Sequence, residues 1–354
     1  MKKFWINLAI SMAIGALFVW LAIRGVDWDE LEQAFVQVDA SKLLVYFLIL
    51  SAIQLVRILR WGILLKPLGK VGFSRLLSVG SVGILALIVL PLRLGEFARP
   101  ILIAQRSKIR TSAALATVVV ERVIDSLAMA GLLVTILFFI EDRISVPLEI
   151  RSWAYVILGL FILLLIFLVV AYHRRVATVD WFKRWLLRPF PARISNRLSS
   201  ILESFIGGLQ ALPNIRLALL FLFMTVLYWG MSGAGMGYMF GAFGQLEHLG
   251  WVEAFTALSI LCVGLMIPAG PGMIGNFHYF VRLGLSLFVS ETVLGSAGVA
   301  YAILIHAMQL GQQVVWGLPF MFTGHISFRR VLSARGVGDD GLEKGAVAPD
   351  DQAP

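Results

Sequence analysis

Residues 76–99 read LLSVGSVGILALIVLPLRLGEFAR, and how this stretch must sit decides the fold. Its apolar part, 76–92, is too short to cross a bilayer and return as two full helices, because one crossing takes about 20 apolar residues. Gly80, Gly83 and Pro91 interrupt it. Lys66, Lys70 and Arg75 precede it, and Arg99, Arg106, Lys108 and Arg110 follow it. Basic residues gather on the cytoplasmic side, so both ends belong to that side. A re-entrant hairpin or broken helix meets these conditions.

The surrounding chain is apolar enough to be a membrane protein throughout. Of 354 residues, 59% are hydrophobic and 14% charged, against roughly 25% charged in a soluble domain. Further apolar runs cover 4–23, 43–65, 113–140, 153–172, 217–240, 251–288 and 298–322. The first follows Lys2 and Lys3 and exits through Arg24-Gly25-Val26-Asp27 without a cleavage pattern, so it reads as a retained helix with a cytoplasmic N-terminus. The loop 25–41 carries Asp27, Asp29, Glu30, Glu32 and Asp39 and no Lys or Arg, which puts it outside. Alternation then brings the basic stretch 173–216 inside and the loop at Glu247 outside. Arg329, Arg330 and Arg335 bring the C-terminus inside.

By the same parity, 251–296 begins and ends outside, broken at Ile267-Pro268-Ala269-Gly270-Pro271-Gly272. Two ordinary short helices are the alternative. The expected fold is therefore an all-α polytopic membrane protein with about six full transmembrane helices. Two Pro/Gly-broken re-entrant hairpins enter from opposite faces, as in inverted-repeat transporters. The break residues are Pro91 and Gly95 in the first hairpin and Pro268, Gly270, Pro271, Gly272 and Gly275 in the second.

Residues 1–325 read as one membrane domain and 326–354 as a disordered cytoplasmic tail. Within 173–216, Trp181 and Trp185 recur at i, i+4, as do Arg184 and Arg188, which describes an amphipathic helix on the cytoplasmic surface. Gly233, Gly237 and Gly241 make a ridge suited to close helix packing.

Several chemistries are excluded or left unsupported. The net charge of +9 fits loops facing anionic headgroups, so no nucleic acid is expected. Cys262 is the single cysteine, which rules out a disulfide framework and a cysteine metal site. Neither a metalloprotease, a serine-hydrolase nor a nucleotide-binding motif occurs, so no enzyme, metal or cofactor is expected. Asp27-Trp28-Asp29 has the form that glycosyltransferases use for a metal and a sugar nucleotide, but it falls in the outside loop, away from nucleotide sugars.

Charges inside hydrocarbon are expensive and mark functional candidates. Gln54, Arg57 and Trp61 share a face by their spacing, with Arg60 beside them. The first break supplies Arg93, Glu96 and Arg99. The run 113–140 holds Glu121, Arg122 and Asp125, where Arg122 reaches Asp125 at i, i+3. Later come His278, Arg282, His306 and Gln309. With Arg60, Arg99 and Arg282 taken as snorkelling to an interface, Arg57, Arg93 and Arg122 face Glu96, Glu121 and Asp125. That balance leaves little room for a further cation and favours a phosphate-bearing headgroup. Arg57, Arg93, Arg99 and Arg122, with Arg60 beside them, are expected to hold the phosphate, and Glu96, Glu121 and Asp125 to orient those arginines or carry a proton. Glu121, Arg122 and Asp125 also read as a structural ion-pair lock, and His278 and His306 as interhelical hydrogen-bonders or proton carriers.

Taken in order, Arg57-x-x-Arg60-Trp61, Pro91-x-Arg93-x-Gly95-Glu96-x-x-Arg99, Glu121-Arg122-x-x-Asp125 and Pro268-x-x-Pro271-Gly272-x-x-Gly275 resemble the flippase-like membrane family related to the transmembrane region of lysylphosphatidylglycerol synthases. The resemblance covers about residues 5–325. It implies a multi-pass bacterial inner-membrane protein that moves an anionic phospholipid, polyprenyl-phosphate glycolipid or similar lipid between leaflets. The soluble synthase domain of the family's bifunctional members is not expected after the last apolar run. Where many relatives carry an acidic residue after the second break, this chain has His278, so a proton-coupled role for that carboxylate does not carry over. The alternative is a membrane scaffold for envelope glycolipid or phospholipid assembly, with envelope-biosynthesis enzymes docking on 173–216.

Overall fold

The computed structural model describes residues 2–90, 95–140, 146–185, 188, 191–209, 214–267 and 270–322. Pro91, Arg93, Pro268 and the tail 326–354 lie outside these. The described chain is helical, as an apolar environment demands when every backbone group must be satisfied within its own segment. Five helices are long and apolar enough to cross a membrane, and a bent pair at the N-terminus makes six.

That bent pair is α1 (Lys2–Ile23) and α2 (Trp28–Val36), at 86° to each other. Gly25 makes the corner with φ of +73°, a conformation open to glycine. Asp27 caps α2 by accepting from the amides of Asp29 and Glu30 at 3.0 and 3.1 Å. The stretch expected to be a loop thus carries a helix, and the first Asp of Asp-x-Asp is spent on its cap. Among the described residues no three His, Cys, Asp or Glu gather as a metal site.

After α3 (Ser41–Leu65), the chain forms α4 (Phe73–Val89) and α5 (Ala98–Ala104), which fold back on each other. A Cβ on Gly83 would strike the side chain of Arg99, and one on Gly95 would lie 2.4 Å from the backbone of Ala86, so the two helices run antiparallel. Next come α6 (Thr111–Ile140), α7 (Leu148–His173), α8 (Arg175–Trp185), α9 (Ala192–Gly208) and α10 (Ile215–Phe240). The amphipathic stretch is realised as α8 and α9. Helix α9 lies on α6, with Gly208 closing on the backbone of Ala113.

A second hairpin follows, of α11 (Trp251–Gly264) and α12 (Asn276–Leu285). Gly264 faces the ring of Phe280 and Gly284 faces Ala257, so this pair is antiparallel as well. The hairpin helices α4, α5, α11 and α12 have 17, 7, 14 and 10 residues, or about 26, 11, 21 and 15 Å at 1.5 Å per residue. Each falls short of the roughly 30 Å of hydrocarbon. The last span is α13 (Glu291–Val293), a π turn over Leu294–Gly298 and α14 (Val299–Phe322).

The packing relates the two halves. Helices α3 and α10, which precede the hairpins, pack on each other. Helix α6, after the first hairpin, packs on α11 of the second; α14, after the second, packs on α4 of the first. Gly272, in the turn of the second hairpin, lies beside Ile88 near the end of α4, so that turn abuts the first hairpin. The glycine ridge is a packing surface: Cβ atoms at Gly233 and Gly237 would meet Phe255 and Ala254 of α11.

Candidate functional site

Glu121 and Asp125 are one turn apart on α6, so both carboxylates point to the same side, where α3 presents Arg60. The Arg60 guanidinium, with no exposed surface, bonds both oxygens of Asp125 at 2.5 and 2.9 Å and Glu121 Oε1 at 3.1 Å. Arg99 of α5 donates to Glu121 Oε2 at 3.2 Å. Arg122 Nη2 bridges Glu121 at 2.7 Å and Asp125 at 3.1 Å. Trp229 Nε1 adds a bond to Asp125 at 3.1 Å, and Trp61 Nε1 bonds Thr117 at 3.1 Å. Arg60 lies over the rings of Tyr228 and Phe221, and Arg99 over Trp61, adding cation–π attraction. Taking such ions out of water costs several kcal/mol each, which is offset only by well-made bonds; here Glu121 accepts from three arginines.

This corrects the expectation that Arg60 and Arg99 snorkel. They are 0% and 2% exposed and form the deepest part of the cluster, and Gly83 of α4 leaves the space in which the Arg99 side chain lies. Arg282 is partly buried, and donates to the carbonyls of Ala22 and Arg24, closing the C-terminal end of α1.

On one side of this cluster lies a cavity of about 380 Å³ between α3, α6, α7, α10, α11 and α14. Each helix gives it one face: Leu50, Ile53 and Arg57 from α3; Arg122, Asp125 and Met129 from α6; Trp229, Ser232 and Met236 from α10; His306, Gln309 and Gln313 from α14. Leu87, Ile88 and Glu96 of the first hairpin and Gly272, Met273 and Phe277 of the second close its ends. Arg60, Arg99 and Glu121 stand behind the wall. Arg122 belongs to both cluster and wall, its side chain 29% exposed.

Arg57 differs from the other arginines. Its Nε is buried without a hydrogen-bond partner, and among the described residues its guanidinium makes neither an ion pair nor a hydrogen bond. Over the described residues, Arg57, Arg60, Arg99 and Arg122 face Glu96, Glu121 and Asp125, four charges against three. The described charges around the cavity therefore carry a net positive excess.

At the second tip, the Gly275 amide donates to His278 Nδ1 at 3.3 Å. His278 Nε2 lies 3.2 Å from His306 Nδ1, and His306 Nε2 lies 2.9 Å from the Gly272 carbonyl. Assigned along the network, the protons sit on Nε2 of both rings, and the bonds run one way from the Gly275 amide to the Gly272 carbonyl. Both rings must be neutral for every bond to form. Gly272 and Gly275 adopt φ of +66° and +94°, so the break needs glycine at both. The ring of Phe277 stacks on His306 at 4.2 Å. His278 and His306 thus tie the break to α14.

The sequence-derived residues divide accordingly. Arg57, Glu96, Arg122, Asp125, His306, Gln309 and Gly272 meet at the cavity. Arg60, Arg99 and Glu121 support it from behind, while Pro91, Arg93 and Pro268 lie outside the described residues. Gln54 and Trp61, expected beside Arg57, are buried away from the cavity lining. Sequence reading missed Trp229, Ser232 and Gln313; Gln313 was findable, since it stands at i+7 from His306 and i+4 from Gln309 in an apolar run.

No curated protein and no solved structure matches the chain. The family model described as the lysylphosphatidylglycerol synthase TM region matches residues 5–317, nearly all of the described helices, and the chain belongs to that family.

Proposed function

We propose that the chain moves a lipid with an anionic headgroup between the leaflets of the bacterial inner membrane, without nucleotide hydrolysis or covalent chemistry. In this reading both termini are cytoplasmic. The two hairpins are re-entrant from opposite faces, related as an inverted repeat with α3, α4, α5 and α6 matched to α10, α11, α12 and α14. The reciprocal packing of α6 on α11 and α14 on α4 supports that relation. So does the shortness of all four hairpin helices.

The observation that carries the proposal is Arg57, whose guanidinium makes neither an ion pair nor a hydrogen bond among the described residues, facing a cavity between two broken hairpins. An unpaired cation at low dielectric is unfavourable, and an arriving phosphate would neutralise it with bonds that a planar guanidinium makes well. Arg57 and Arg122 would hold the headgroup, acyl chains would stay in lipid, and movement of the tips about Gly95, Gly272 and Gly275 would open the cavity to one leaflet at a time.

The test is transbilayer movement of fluorescent anionic lipids in vesicles reconstituted with the purified chain. Acceleration over empty vesicles, lost in Arg57→Gln, is the expected result. No acceleration across phospholipid and polyprenyl-phosphate probes refutes it. That result would favour a scaffold, for which α8 offers exposed Trp181 and Trp185 beside Lys183 and Arg184.

A further inference from the structure

The cavity's second polar wall narrows the substrate. Gln309 and Gln313 of α14 line the cavity, and among the described residues neither side chain has a hydrogen-bond partner. Gln313 is only 8% exposed, so its amide is held out of bulk water and turned to the cavity. Gln309 is half-buried and both amides open into the cavity, where they can pair with a group that enters it. A carboxamide offers donors and acceptors together, which suits hydroxyl groups, themselves donor and acceptor.

An ammonium group finds the opposite situation. Glu121 and Asp125 already accept from Arg60, Arg99 and Arg122, and Glu96 is not free. The Gly272 carbonyl is taken by His306. With four guanidiniums against three carboxylates, a further cation meets net repulsion. At about 380 Å³ the cavity lies at the small end of organic-ligand pockets, roughly 300–1,000 Å³. That admits one small headgroup and excludes an oligosaccharide.

Resting on the translocation reading above, we infer that the cargo is a lipid whose phosphate is flanked by uncharged hydroxyl groups, of glycerol or single-sugar type, and that ammonium-bearing headgroups are rejected. The phosphate sits on Arg57 and Arg122, and the hydroxyls on Gln309 and Gln313.

The test uses the purified full chain in phosphatidylcholine nanodiscs, titrated with four probes and read by native mass spectrometry. Phosphatidylglycerol and a polyprenyl phosphate bearing one neutral hexose carry phosphate and hydroxyls. Phosphatidic acid carries phosphate without hydroxyls, and phosphatidylethanolamine carries an ammonium. At least one hydroxylated probe should bind roughly 3- to 10-fold tighter than phosphatidic acid, the effect of one or two neutral hydrogen bonds. Phosphatidylethanolamine should bind weakest, and the tighter of the two hydroxylated probes identifies the source of the headgroup. The double substitution Gln309→Leu/Gln313→Leu should bring the hydroxylated probes down to the affinity of phosphatidic acid for the same variant; should that variant not fold, the wild-type ranking decides alone. Equal binding of phosphatidic acid and both hydroxylated probes, or strong binding of phosphatidylethanolamine, overturns the inference but spares the anionic site. Binding of every anionic probe no tighter than phosphatidylcholine, or unaltered by Arg57→Gln, defeats the translocation reading itself.

Discussion

Glu121→Gln and Arg57→Gln should have opposite consequences although both residues are charged and lie close together in the fold. Glu121 has no exposed surface and accepts from Arg60 at 3.1 Å, Arg99 at 3.2 Å and Arg122 at 2.7 Å. The amide keeps the shape but removes the negative charge, leaving Arg60 and Arg122 on the single carboxylate of Asp125 and taking from Arg99 the carboxylate it pairs with. Breaking a buried pair by removing one partner costs about 3–5 kcal/mol, so the unfolding equilibrium should shift by roughly two to more than three orders of magnitude. Arg57 leaves no described partner behind when neutralised, so Arg57→Gln should stay within about 0.5 kcal/mol of the parent and lose lipid movement. The assay is unfolding of each purified variant in mixed micelles by titration with a denaturing detergent, followed by tryptophan fluorescence. Equal stability of Glu121→Gln and the parent would refute the lock. A comparable loss in both variants would refute the division between lock and cavity cation.

Three further outcomes are expected. Gly95→Ala forces a Cβ to within 2.4 Å of the Ala86 backbone and should destabilise by at least about 1–3 kcal/mol, whereas Gly159→Ala, with nothing within 4 Å, should be neutral or slightly stabilising; thermal denaturation of the two variants separates them. Cys262, the single cysteine, lines the cavity, so a small maleimide should modify it in vesicles and a bound anionic lipid should slow the reaction. No reaction under either condition would contradict an accessible cavity. His306→Ala removes the bonds to His278 and the Gly272 carbonyl, so amide exchange over 270–276 should quicken while that of α6 stays unchanged.

The hairpins were legible because parity of basic residues and the placing of Gly and Pro are properties of the chain itself. Basic residues on both flanks, Lys66 to Arg75 and Arg99 to Arg110, pointed to a fold-back of 76–92, and α4 and α5 run antiparallel. Which arginine is buried was not legible. Arg57 and Arg60 stand three residues apart on α3, yet Arg60 meets carboxylates carried by α6, whose position depends on packing distant in sequence. Arg99 was misjudged for the same reason: Gly83 opens the space for its side chain, and a glycine's neighbour across a hairpin is not written in the local pattern. The α10 contribution of Trp229 and Ser232 gave no charge signal, and aromatic and hydroxyl residues are common in any membrane helix.

Mass spectrometry of the lipids retained by the purified chain, compared with the same preparation of Arg57→Gln, bears most directly on an anion held between the hairpins. A distinct anionic lipid, enriched over the surrounding membrane and absent from Arg57→Gln, is the result that the unpaired guanidinium requires. Retained lipid of bulk composition, or the same enriched species in both proteins, would mean that Arg57 does not hold cargo.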